Sequence, residues 1–437
     1  MNIVLLSGGS GKRLWPLSNE IRSKQFIKIF KNGEQSMVER VYSQIKKADA
    51  AANITIATSK SQVSAIHNQL GDSVGISIEP CRRDTFPAIA LATAYLHDIK
   101  KIDENEVLVV CPVDPYVEDE YFEMLKRLEE HAKNSQANIT LMGIEPTFPS
   151  EKYGYIIPES GAAASKVKTF KEKPDKVTAE KYIAQGALWN GGVFAYRIKY
   201  LLEKAKSILG TCDYDELFSG YSELKKISFD YAVVENEKRV DVLRFKGEWK
   251  DLGTWNTLTE VMENPVIGRG VMNDKCENVH IINETGMPLV AMGLKNVVIS
   301  ASPDGILVSD KEQSSYIKPF VDNIEQQIMF AEKSWGSYRV LDADNGSMTI
   351  KVTLKAGCSM NYHSHKLRDE VWVVVSGEGK TIIDGMEQEV YAGDVITMQR
   401  GCRHTVIAKT FLTLVEVQLG LEISVEDKFK HDINGEV

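Results

Sequence analysis

Residues 3–30 read IVLLSGGSGKRLWPLSNEIRSKQFIKIF, and their order decides the fold. The apolar run 3–6 has the composition of a buried strand. It ends in Gly8-Gly9-Ser10-Gly11, and cations follow at Lys12, Arg13 and Lys24. Glycines let a backbone curl tightly and present its N–H groups to a polyanion, which the cations then neutralise. Two familiar phosphate loops fit poorly. A dinucleotide fingerprint needs a third glycine where Leu14 stands, and a Walker loop needs glycine at Leu6 and Ser or Thr at Arg13.

Composition narrows the class. At 437 residues the chain is too long for one ordinary core and implies two or three domains. Its 43% hydrophobic and 26% charged residues are those of a globular protein. A net charge of −9 argues against nucleic acid or an anionic membrane as a general partner, so a bound nucleotide must be met by a local cluster of cations. No apolar stretch reaches the length of a membrane span, and the start reads as a strand, not a signal peptide. The six cysteines are scattered with no CxxC pair, which reads as reduced thiols and a cytoplasmic location.

Outward from the glycine loop, the first 260 residues alternate strand and helix patterns. Ser36-Met-Val-Glu39 is a capping-box start to a helix through about 48. Residues 53–58 read as a strand and 61–70 as a helix. Thr85-Phe-Pro87 opens a helix through about 97, with Thr85 as expected N-cap. Residues 107–112 are a buried strand and 120–133 an amphipathic helix. This is the α/β pattern of a Rossmann-like, mostly parallel sheet with ligands at the carboxyl ends of its strands. Around residue 263 the texture changes to short β-rich pieces through 320. Residues 320–333 read as helical. From 335 onward short strands and glycine turns predict an all-β barrel or sandwich.

The strand, the glycine loop with Arg13 and the Lys24-Gln25 pair together resemble the sugar-1-phosphate nucleotidyltransferases. Leu14-Trp-Pro-Leu-Ser18 resembles the mannose-1-phosphate guanylyltransferase branch. The resemblance implies a nucleotide site with Leu6, Gly8, Gly9 and Gly11 in the loop. It also implies base recognition by the segment Glu79-Pro-Cys-Arg-Arg-Asp84-Thr85, where the family has Asn at Asp84. Guanine is the expected base, because its N1–H and N2–H₂ donors suit a carboxylate such as Glu79 or Asp84. Nucleotidyl transfer requires two phosphates to be aligned, their repulsion shielded and Mg²⁺ bound. Asp114 follows the 107–112 strand, and Asp251 lies in Trp249-Lys-Asp-Leu-Gly-Thr-Trp255; the resemblance assigns the Mg²⁺ to these two acids. The family has His after the first acid, and this chain has Pro115. Tyr153-Gly154-Tyr-Ile, Phe170-Lys-Glu172-Lys173-Pro, Trp189-Asn190-Gly-Gly and Ser228-Phe-Asp230-Tyr-Ala resemble the sugar-phosphate side. Arg13, Lys24 and Lys173 would neutralise phosphates.

The second constellation is Gly357-x₅-His363-x-His365-x₄-Glu370-x₆-Gly377, then Gly393-x₅-Gln399-x-Gly401-x₂-His404. This is the cupin double motif, with Gln399 in place of Pro. Alternate strand residues share a face, so His363 and His365 point the same way. Glu370 and His404 complete a shell suited to Zn, Fe, Mn or Ni. The whole segment resembles the mannose-6-phosphate isomerase domain fused to such transferases. It departs from that domain in a longer His363–Trp372 stretch, in Thr405 where the family has Arg, and in Lys430 for a later Arg. Arg-to-Lys changes lose the bidentate fork, so an active isomerase and a domain without activity both stay open.

The expected domains are 1–262 (nucleotidyltransferase), 263–320 (left-handed β-helix-like), 321–334 (connector) and 335–437 (cupin). The expected reaction joins GTP and α-D-mannose 1-phosphate into GDP-mannose and pyrophosphate, in a homodimer. One alternative is another nucleotide or sugar 1-phosphate, a heptose for example. The other is a nucleotide-sugar sensor with a regulatory cupin.

Overall fold

The opening apolar run becomes the third strand of a nine-stranded sheet in the computed structural model, which describes residues 1–9, 12–19, 21–324, 328–424 and 427–432. Asn2–Ser7 lies between Asn53–Ser59 and Val107–Pro112, parallel to both, and Gly75–Glu79 extends the parallel half at the edge. The other half is mixed. Leu188–Arg197 runs antiparallel to both Val107–Pro112 and Ile139–Ile144. Val240–Phe245 is parallel to Ile139–Ile144, and Ala164–Lys171 and Tyr155–Pro158 close the far edge. The glycine loop, Ser59, Glu79 and Pro112 therefore sit together at the carboxyl ends of the parallel strands.

Local chemistry accounts for the helices. Ser36 Oγ accepts from Glu39 N, and the Glu39 carboxylate accepts from Ser36 N, so Met37–Ala48 begins with the expected capping box. Helix Thr85–Ala94 is buried from Phe86 onward on all sides, which is why its sequence is apolar throughout. Its N-cap is Asp84 rather than the expected Thr85: Asp84 Oδ1 accepts from Thr85 N. Asp84 stands at φ +72° and ψ −179°, a region occupied almost only by glycine, so its backbone is strained there. The Thr85 hydroxyl instead accepts from Phe229 N at 2.8 Å. Phe229 packs on Phe194 with ring centroids 4.5 Å apart, inside the core that covers this half of the sheet.

The chain divides into two compact units: Met1–Leu14, Ser23–Ile267 and Lys311–Tyr316 form one, and Trp15–Arg22, Gly268–Asp310 and Ile317–Val437 the other. In the second unit Gly270–Met272 is parallel to Leu289–Ala291, and His280–Asn283 to Val297–Ser302. The parallel partners are 19 residues apart for Gly270 and Leu289, and 18 for His280 and Val298, the stacked coil of a β-helix-like piece. The rest is a sandwich of a six-stranded and a five-stranded sheet around Val352, Leu354, Trp372, Val374, Val406 and Leu414. Gly377 turns at φ +86°, where a Cβ would lie 2.2 Å from Phe411 O. One expectation is corrected: 320–333 is not a helix. Only Lys318–Val321 is helical there, 325–327 lie outside the described residues, and Phe330–Lys333 is an edge strand paired with Gly336–Asp344. The gain from adding a strand to a sheet edge outweighs a weak helical pattern. Among the described residues no helix is long and apolar enough to cross a membrane.

Candidate active site

Two cavities of the first unit meet at Pro112 and Asp114. The larger, about 410 Å³, is lined by Leu6, Gly8, Gly9, Glu79, Asp84 and Thr85, all expected at the nucleotide. Gly9 has φ +133° with open space where a Cβ would be. Its carbonyl accepts from Ser23 Oγ at 3.2 Å and from Arg82 Nη2 at 3.1 Å, which fixes the turn. Beneath it lies a buried polar network. Gln25 Nε2 donates to Ser7 Oγ at 2.8 Å, Gln62 Nε2 to Ser23 Oγ at 2.6 Å, and Thr58 Oγ1 to Gln62 Oε1 at 2.9 Å. Buried amides with satisfied partners rigidify a loop. Burial pushes the Glu79 carboxyl up, and Tyr221 Oη donates to it at 2.8 Å. Gly11 lies outside the described residues. Arg13 is exposed in the turn Lys12–Leu14 and, among the described residues, lines neither cavity.

The second cavity, about 230 Å³, gathers Asp114, Tyr153, Gly154, Glu172, Asn190, Asp230 and Asp251. The two metal candidates are brought together by a short antiparallel pairing of Trp249–Asp251 with Pro115–Val117, in which Asp251 faces Pro115. Proline here costs no ladder bond at the first residue of a strand. Lys24 Nζ bridges the pair, 2.8 Å from Asp114 Oδ2 and 3.5 Å from Asp251 Oδ1. Burial opposes the charge on Lys24, but the two carboxylates outweigh it and raise its pKa.

On the opposite wall Glu172 approaches Gly154 so closely that a Cβ there would lie 2.4 Å from Glu172 Oε2. That oxygen is buried with no hydrogen-bond partner among the described residues, and so is Trp249 Nε1. An orphan acceptor and an orphan donor thus line one cavity, as a polyol ligand requires. Lys173 Nζ stands 2.7 Å from Glu172 Oε1. A register shift after Asn190 in Leu188–Arg197 sends its side chain to Asp230, Nδ2 to Oδ1 at 2.7 Å. Burial, then the nearby Glu172, push the Asp230 carboxyl up to about 6. Tyr153 packs edge-on to Trp189 and Trp249, with centroids 5.0 and 5.3 Å away. Arg82 and Lys226 in the larger cavity, Lys152 in the smaller, and the Gln25–Gln62 network were not singled out. No spacing rule marks them, because their neighbours come from distant segments.

In the sandwich, His363 pairs in register with His404, and the rings of His363, His365 and His404 have centroids 4.4–5.4 Å apart. Their ligand atoms lie within 4.8 Å of one another, so this group could hold a metal ion. Each Nδ1 faces a backbone carbonyl: Asn361 O at 2.6 Å for His363, Asp427 O for His365, and Cys402 O at 3.0 Å for His404. A carbonyl only accepts, so Nδ1 carries the proton and the Nε2 lone pairs turn inward. Burial, with Lys428 near, pushes His363 down to about 2 and keeps it neutral. Glu370 joins them as expected, its oxygens 3.0 Å from His365 Nε2 and 3.3 Å from His404 Nε2. Three imidazoles and a carboxylate fit a divalent transition metal. Arg368, buried against the same groups, was not foreseen.

The nucleotidyl transferase family model matches residues 2–265, and the mannose-6-phosphate isomerase C-terminal model matches 322–432. The xanthan biosynthesis protein XanB of Xanthomonas campestris pv. campestris (strain ATCC 33913 / DSM 3586 / NCPPB 528 / LMG 568 / P 25) is 31% identical over 97% of this chain and 96% of its own length. The mannose-1-phosphate guanylyltransferase of Escherichia coli (strain K12) is 28% identical over 97% of this chain and 96% of its own. A crystal structure of a mannose-1-phosphate "geranyltransferase" from Thermus thermophilus superposes with a TM-score of 0.63 at 29% identity, over 74% of this chain and 98% of that one. The chain belongs to the nucleotidyl transferase family and carries a C-terminal domain of the mannose-6-phosphate isomerase type.

Proposed function

We propose that the chain is a mannose-1-phosphate guanylyltransferase, joining GTP and α-D-mannose 1-phosphate into GDP-mannose and pyrophosphate. The observation that carries this reading is the pair of cavities meeting at Asp114, one beside the glycine loop and one lined by hydroxyl-seeking groups. The sugar-phosphate oxygen attacks the α-phosphorus, and pyrophosphate leaves in line. Gly8 and Gly9 present backbone N–H groups to the triphosphate. Lys24 and Lys173, with Arg82 and Lys226, offset the repulsion between the two anions. Glu79 and Asp84 accept from the guanine edge. Glu172, Asn190 and Asp230 bind sugar hydroxyls. Asp114 and Asp251 would hold Mg²⁺, which supplies charge neutralisation at the reacting phosphates.

Pyrophosphate release across four nucleoside triphosphates and a panel of sugar 1-phosphates tests the reading. Release confined to GTP with mannose 1-phosphate is expected. Another productive pair, a heptose 1-phosphate for instance, moves the specificity and makes Asp84 the first residue to change. Tight GTP binding with no release under any sugar favours the sensor. The convergence of His363, His365, His404 and Glu370 favours a second reading, interconversion of a hexose 6-phosphate in the cupin. Formation of fructose 6-phosphate from mannose 6-phosphate tests it.

A further inference from the structure

The longer stretch between His365 and Glu370 puts one residue in an unexpected place. Arg368 is buried, 7% exposed, inside the cupin centre. Its Nε donates to Glu370 Oε1 at 2.9 Å, its Nη2 to His365 Nε2 at 3.1 Å, and its Nη1 to Ser424 O at 2.9 Å. The guanidinium is permanently charged and planar, so the fork is a built position with three partners. Two of those partners are the atoms a metal ion needs. The single lone pair on His365 Nε2 cannot serve both an Arg N–H and a metal.

We propose that Arg368 is an internal competitor for the cupin metal site: its guanidinium and a divalent cation are mutually exclusive occupants of the His365–Glu370 face. Charge points the same way. Lys428 acts electrostatically on both His363 and Glu370, so a second positive charge besides Arg368 opposes an incoming ion. A metal that takes His365 Nε2 and Glu370 Oε1 must first break the two Arg368 bonds to those atoms. The centre is thus held in an arginine-closed state, and metal affinity is set by the cost of expelling one side chain.

The test is Zn²⁺ binding by the full chain at buffered free Zn²⁺, read by elemental analysis and by the thermal midpoint. Arg368→Met is expected to bind one Zn²⁺ at least about tenfold more tightly than the unmodified chain. Its midpoint rises at a free Zn²⁺ about tenfold lower than the unmodified chain requires for the same rise. The increment disappears in the His363→Ala/Arg368→Met double variant, which separates it from any ion at Asp114 and Asp251. Arg368→Lys keeps the charge but loses the fork, and falls between. Equal affinity in the unmodified chain and Arg368→Met overturns the proposal. If Arg368→Met fails to fold, the unmodified chain decides alone. A stoichiometric, His363-dependent ion that survives chelator dialysis sinks the idea, and its absence supports it. None of these outcomes depends on guanylyl transfer.

Discussion

Two basic side chains hold carboxylates in this molecule, in opposite settings. Lys24 bridges Asp114 and Asp251 at the rim of two cavities, where both acids are 38% exposed. Arg368 holds Glu370 where the carboxylate is 2% exposed. Water screens the first arrangement, so a pair there contributes about 1 kcal/mol or less, and an incoming cation can replace the lysine cheaply. The second is sealed, and removing one partner leaves a bare charge in a poor solvent. At the open site another cation can reach both carboxylates beside Lys24; at the closed one Glu370 is enclosed together with Arg368.

The comparison breaks most visibly through stability. Glu370→Ala removes the partner of a buried guanidinium and should destabilise the sandwich by about 3–5 kcal/mol. Urea unfolding followed by tryptophan fluorescence reads this, since Trp372 Nε1 donates to Glu370 Oε2 at 3.2 Å. A loss below about 1 kcal/mol would mean that the cluster is neither sealed nor strongly coupled.

At the open site the effect moves from stability to rate. Asp114→Asn or Asp251→Asn should lower turnover by about two to three orders of magnitude, as loss of a fixed charge at a phosphoryl centre does. Stability should stay within about 0.5 kcal/mol, because neither carboxylate is buried. Full activity in both variants would remove the metal assignment.

How far each region was legible follows from the range of its interactions. The capping box at Ser36 and Glu39 is a contact between residues three apart, and the sequence states it outright. His363 lies on the strand His363–Ser364 and His365 follows directly after it in the same alternation, so their shared face needed no tertiary knowledge. Asp114 and Asp251 were named only through family likeness. Their meeting depends on the pairing of Pro115 with Asp251, 136 positions apart by subtraction of their numbers, and no local rule encodes that. The Gln25–Gln62 network is hidden for the same reason. Arg368 was missed differently. It stood in plain view among the motif residues, but a charged side chain in the short connection before a strand reads as solvent-facing until its burial is seen. Phe330–Lys333 failed because a short segment has too little pattern to separate helix from edge strand.

The smallest effect should appear at Asp230. Its carboxyl titrates near 6 in the folded chain against an ordinary 3.8, because burial and the nearby Glu172 disfavour the charge. A raised acid binds its proton more tightly in the folded state than in the unfolded one. Stability is therefore lost as pH climbs from the unfolded pKa through the folded one, at most about 3 kcal/mol by pH 8. Asp230→Asn keeps an acceptor for Asn190 and carries no charge. The ligand-free variant should be more stable than the unmodified chain at pH 8, with the gain shrinking as pH falls through 6 toward 4. Paired urea titrations at pH 8 and 4.5 measure the difference and cancel groups that titrate alike in both proteins. An equal gain at both pH values would show that Asp230 is not strained by its charge. A gain at pH 8 alone, together with weaker mannose 1-phosphate binding, would mark the cavity as carrying uncompensated negative charge that sugar hydroxyls and Lys173 relieve. The sandwich shows the converse, since the charge on Glu370 is already answered from within the chain.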